Sequence, residues 1–148
     1  MNRFAYCITV LLLASGCSSE TGPPVEVSDV RIYAPLPGSS MSVAYLAIAN
    51  NTPEPLVISE IASPQFTAAE LHETTLSGDV YRMRPLPTLT IPPAGAVELR
   101  EGARHIMLME PVGELALGDP ITLFIRDVSG GELVVRSSLE TRIQVEGN

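Results

Sequence analysis

Ile121-Thr122-Leu123-Phe124-Ile125-Arg126-Asp127-Val128-Ser129-Gly130-Gly131-Glu132-Leu133-Val134-Val135 is the stretch on which the fold turns. Two runs rich in β-branched, aliphatic and aromatic residues flank a Ser-Gly-Gly turn. Glycine supplies the positive φ that a tight hairpin needs, so the stretch predicts two paired antiparallel strands. The same texture continues outward in both directions. Apolar runs of strand length recur at Val25 to Tyr33, Ser42 to Ala49, Pro55 to Ile61, Ala68 to Thr75 and Val80 to Met83. Further runs occupy Thr88 to Ile91, Ala96 to Leu99, Arg104 to Met109, Ile121 to Asp127 and Glu132 to Leu139. Turn chemistry separates them, as in Pro37-Gly38, Asn50-Asn51-Thr52-Pro53, Ser77-Gly78-Asp79 and Pro92-Pro93-Ala94-Gly95. Short strands punctuated in this way predict an all-β antiparallel sandwich or barrel. With 13 prolines and 11 glycines, and no sustained 3.6-residue apolar stripe, long helices are not expected.

The N-terminus has a different character. Arg3 precedes an apolar run from Ile8 to Ala14 that ends in small residues, the pattern of a secretory signal over residues 1–16. Its end, Leu13-Ala14-Ser15-Gly16-Cys17, resembles a bacterial lipobox, with Ala14 departing from the usual leucine. Cys17 is therefore the expected lipid anchor in a cell-envelope location, with plain secretion to the periplasm as the alternative. Residues 17–24 are small, polar and end in proline, as a flexible tether would be. Residues 25–148 are expected to form a single domain, long enough to bury a core. Both cysteines, Cys7 and Cys17, fall in or at the end of the signal, so disulfide and thiolate chemistry are excluded from the folded part. A net charge of -8, with no lysine anywhere, gives nucleic acid no electrostatic foothold.

Beyond the signal the chain holds only two histidines, His72 and His105, and four methionines, Met41, Met83, Met107 and Met109. In a strand, side chains alternate between faces, so His105, Met107 and Met109 share one face while Ile106 and Leu108 share the other. A hairpin folded around Ser77-Gly78-Asp79 would bring Met83 back beside His72. Four donors, His72, Met83, His105 and Met107, could then converge. Thioethers select Cu(I), whereas calcium and magnesium want oxygen and zinc favours cysteine or carboxylate. The competing reading is that methionines fill gaps in a β core and that a strand histidine is simply a satisfied polar residue. Met109 reads as packing beside the site or as an alternative donor, and Met41 as lining its rim or as a simple loop or strand-start residue. Arg82, Arg84 and Arg104 flank two of the donors, either as a docking rim for an acidic partner or as a salt-bridged strand face.

The spacing His72-x10-Met83-x21-His105-x-Met107 resembles the motif of the PCuAC family of periplasmic copper chaperones. Flanking text agrees: Ala44-Tyr45-Leu46-Ala47-Ile48-Ala49-Asn50, Leu71-His72-Glu73-Thr74, Met83-Arg84-Pro85 and His105-Ile106-Met107-Leu108-Met109. The resemblance runs from Val30 to Leu139. It implies a cupredoxin-like antiparallel β-sandwich with one Cu(I) site made by those four side chains. It further implies copper delivery to the Cu(A) centre of cytochrome c oxidase, with an oxidase subunit or its assembly factor as the copper-accepting partner. Some members carry a histidine- and methionine-rich tail. This chain ends Arg142-Ile143-Gln144-Val145-Glu146-Gly147-Asn148, which argues against a second copper site. A copper-storage or resistance lipoprotein and a metal-free adhesion module are the alternative functions. No nucleophile motif points to an enzyme, and a blue-copper electron carrier would need a cysteine that is absent.

Overall fold

The computed structural model describes residues 22–142. The expected signal, the Cys17 anchor and the chain's last six residues lie outside that range. All ten expected strands form: β1 (Val25–Tyr33), β2 (Met41–Asn50), β3 (Leu56–Ala62), β4 (Phe66–Ser77) and β5 (Val80–Pro85), followed by β6 (Leu89–Ile91), β7 (Gly95–Leu99), β8 (Arg104–Pro111), β9 (Pro120–Asp127) and β10 (Glu132–Glu140). Among the described residues there is no helix long and apolar enough to cross a membrane.

Hydrogen bonding runs β5-β4-β8-β2-β1-β10-β9-β3-β6, with β7 joined to β2. The pairing Ile61↔Ala69 links β3 back to β4, so seven strands close on themselves and β5, β6 and β7 extend the edges. Every pair is antiparallel except β1 with β10, which run parallel through Ile32↔Leu139 and Tyr33↔Glu140. A parallel pair needs a long crossover, and here nearly the whole chain between the two strands provides it.

Alternation decides which residues fill the interior. Along β2, Ser42, Ala44, Leu46, Ile48 and Asn50 are buried while their odd-numbered neighbours are more open. Ile106 and Leu108 of β8, Ile121, Leu123 and Ile125 of β9, and Leu71 of β4 meet them in one apolar core. Asn50 is fully buried and polar, and its amide is satisfied. Its Nδ2 donates to the Glu54, Ile91 and Pro92 carbonyls, and its Oδ1 accepts from the Thr52 amide and hydroxyl. The residue thus fastens the β2 end to the loops on either side of it.

Candidate metal centre

The core and the candidate site occupy opposite faces of the same ladder. Ala44, Ile106 and Leu71 stand in one row across β2, β8 and β4 and point inward. The adjacent rows belong to the other face, because directly paired residues of an antiparallel ladder share a side. One of these rows sets His105 opposite His72, and the next sets Met107 between Val43 and Glu70. The inward row backs the outward ones: Ile106, between His105 and Met107 in sequence, is fully buried.

Met83 arrives by the β4–β5 hairpin. Ser77 pairs with Val80 across a two-residue loop, and Gly78 takes φ +64°. That is the positive φ a II′ turn needs at its first loop position. The register then sets Thr74 opposite Met83. Thr74 lies two residues from His72, so Met83 falls on the histidine face one diagonal step away. All four predicted side chains therefore share a face. Met83, His105 and Met107 line one cavity of about 250 Å³, together with Met41, Val43 and Tyr45. His72 is not on that lining. It adjoins it through His105, the two ring centroids being 6.1 Å apart. With metal–nitrogen bonds of about 2.0 Å, one ion between two imidazoles holds the ring centres roughly 5–6.3 Å apart, from a tetrahedral to a linear angle, and the observed spacing lies at the wide end of that range.

The histidine nitrogens differ in their partners. His105 is 5% exposed, and its Nδ1 lies 3.2 Å from the Ala103 carbonyl, leaving Nε2 free. Burial pushes the His105 pKa down against the Ala103 carbonyl, with the nearby His72 and Arg142 charges adding to the fall. The neutral imidazole, the form that ligates metals, is favoured. His72 Nε2 lies 3.0 Å from Glu70 Oε2, and His72 Nδ1 is buried without a partner. A buried polar atom lacking a partner calls for an explanation, and a metal ion provides one. Among the described residues no group of three or more His, Cys, Asp and Glu is placed to hold a metal. Beside the histidines on their shared face stand the thioether side chains of Met83 and Met107.

Several neighbours were not anticipated from the sequence. Glu70 was legible by parity, since it stands two residues before His72 on the same strand. Arg142 reaches the cavity from the far end of the chain, donates to the Tyr45 hydroxyl at 3.1 Å and lies 5.7 Å from the Tyr33 ring centre. No local pattern announces that contact. Met41 opens β2, is paired with Met109 and lines the cavity, so it is a strand-start residue that also forms part of the rim. Of the arginines considered for a docking rim, Arg84 and Arg104 both bind Glu73, at 3.1 and 3.3 Å. Glu73 is opposite both in register, so the salt-bridged face is what forms. Its carboxyl is held below the usual range by the Arg84 hydrogen bond first and by Arg104 as well.

Comparison with known proteins agrees with the fold. Residues 25–137 match the LpqE-like family model, described as "Putative lipoprotein LpqE-like". No curated protein matches the chain. Among solved structures, the solution structure of CuI-DR1885 from Deinococcus radiodurans is similar at 26% identity and a TM-score of 0.68, covering 88% of this chain and 87% of that one. The copper-bound PCuAC domain from PmoF2 is similar at 17% identity and a TM-score of 0.66, covering 81% and 95%. The apo PCuAC domain from PmoF1 gives 18% and 0.67, covering 81% and 96%. The all-β architecture is thus the cupredoxin-like sandwich of PCuAC domains.

Proposed function

The chain belongs to the LpqE-like family, and on that premise we propose that it is an exported copper carrier in which His72, Met83, His105 and Met107 hold one Cu(I) ion. The observation that carries the reading is the shared face. Two imidazoles and two thioethers, drawn from three strands, share that face: Met83, His105 and Met107 line the cavity, His72 adjoins it through His105, and one buried His72 nitrogen has no protein partner. Neutral imidazole and thioether together favour Cu(I), which accepts soft donors and low coordination numbers. The similarity to CuI-DR1885 at 26% identity supports the same cargo.

The mechanism is ligand exchange, with no bond made on a substrate. Met83 lies on an edge strand and is 55% exposed, whereas His105 is 5% exposed. An incoming partner's donors therefore reach the Met83 side first. Thioether is the weaker donor, so it yields first and the histidines let go last. Cargo of this kind suits assembly of the Cu(A) centre of cytochrome c oxidase, with an oxidase subunit or its assembly factor as acceptor. The family's lipoprotein description, with the Cys17 lipobox, supports anchoring in the cell envelope.

The test is transfer. Cu(I)-loaded protein mixed anaerobically with the apo Cu(A) domain of an oxidase subunit is expected to load that domain faster than free diffusion through a chelator allows. Transfer no faster in the presence of the carrier than from a Cu(I)–chelator complex of equal affinity would remove delivery from the account.

A further inference from the structure

Glu70 stands in the same outward row as Met107, and its carboxylate lies 3.0 Å from His72 Nε2. His72 is nearly covered, its side chain 12% exposed, while Glu70 is 49% exposed. The other ring nitrogen, Nδ1, is buried and meets no protein donor or acceptor. These contacts discriminate between the two neutral tautomers. With the proton on Nε2, the ring donates to the carboxylate, and the atom left unmet is the Nδ1 lone pair. With the proton on Nδ1, a lone pair would face an anion, and a buried N–H would be left unmet at a cost of about 1–3 kcal/mol. His105 is held the other way round, its Nδ1 on the Ala103 carbonyl.

We infer that Glu70 is a positioning residue for the metal centre: by accepting the His72 Nε2 proton it fixes the tautomer that offers Nδ1 to the ion, while His105 offers Nε2. The inference rests on the Cu(I) reading above and adds to it both the supporting carboxylate and the ligating atom of each ring. Outer hydrogen-bond partners of ligating histidines fix ring orientation and raise basicity. The pairing also gives this edge of the site an asymmetry. The His72 ring is steered from solvent by a charged side chain, and the His105 ring from within by backbone.

The experiment uses the whole folded protein without its signal. Long-range 1H–15N correlation on the apo protein reads the tautomer directly, and competition with a Cu(I) chelator reads affinity. The wild type is expected to show His72 as the Nε2–H form. Glu70→Ala is expected to mix the tautomers and to weaken Cu(I) binding by about 10- to 100-fold. Glu70→Gln keeps a carbonyl that can accept the same proton, and is expected to preserve the tautomer and most of the affinity. Glu98→Ala, which removes a carboxylate of the same charge, 70% exposed, from β7, is expected to leave both readouts at wild-type values. An Nδ1–H tautomer at His72 in the wild type, or undiminished affinity in Glu70→Ala, overturns the inference while copper binding itself stands. A wild type that takes up no Cu(I) ends the copper reading and this inference together.

Discussion

Met83→Ala separates ligation from folding more cleanly than removal of any other donor. Met83 is 55% exposed on edge strand β5, and substitutions at such positions usually alter stability by no more than about 0.5 kcal/mol. His105 is 5% exposed, so its truncation would disturb packing as well as ligation. An ion that binds only the folded state stabilises it by RT ln(1 + [L]/Kd), about 4.1 kcal/mol when free Cu(I) is 1,000 times Kd. A direct ligand should matter at least as much as an outer partner, whose loss costs about 10- to 100-fold in affinity. A 100-fold loss at the same free Cu(I) cuts the stabilisation to roughly 1.4 kcal/mol. For a folded part of this size, 1 kcal/mol moves Tm by roughly 3–5 °C. Loading should then raise the wild-type Tm by about 12–20 °C and that of the variant by only about 4–7 °C. Scanning calorimetry under anaerobic, reducing conditions, with free Cu(I) set by a chelator, measures both. Equal loading shifts would refute the role of Met83, and an apo Tm lowered by more than about 10 °C would refute the placement of its side chain at the surface.

Three further outcomes follow from the packing and the charges. Ile106→Ala removes a fully buried side chain from the inward row behind the site and should cost about 2–5 kcal/mol, read as a lower urea midpoint with an unchanged slope. Asn50→Ala leaves three carbonyls and the Thr52 donors without their partner. It should cost at least about 2 kcal/mol, and native-state hydrogen exchange should report faster opening where β2 meets the β6–β7 turn. The His105 pKa is depressed in the folded state from an ordinary 6.5, chiefly by burial. Its contribution to stability is therefore complete above that value and declines as pH falls below it, where the unfolded chain takes up a proton that the folded chain resists. Urea titrations from pH 7.5 downward should show that decline, and His105→Gln should flatten part of it.

Strand positions were legible because each strand carries its own local signal. All ten expected runs became strands, with no end displaced by more than two residues. The ladder's closure was not legible. The Ile32↔Leu139 parallel pair and the Ile61↔Ala69 link depend on which strands meet, and alternation within a strand carries no information about its neighbour. The site shows the same division. Parity set Met107 beside His105, and the Gly78 turn set Met83 beside His72, both from local sequence. The direct opposition of His72 and His105 needed the β4–β8 register. Glu73 is adjacent to His72, but adjacent strand residues point apart, and it is Glu70, two residues away on the same face, that makes the contact. Arg142 comes from beyond the last strand and has no sequence signal linking it to Tyr45 or the cavity.

X-ray absorption on protein loaded with one equivalent of Cu(I) tests the central claim most directly. The account predicts one copper per chain with about two nitrogen and two sulfur neighbours, and loss of sulfur scattering in a Met83→Ala, Met107→Ala double variant. A copper shell without sulfur, or a spectrum unchanged by removing both thioethers, would contradict it.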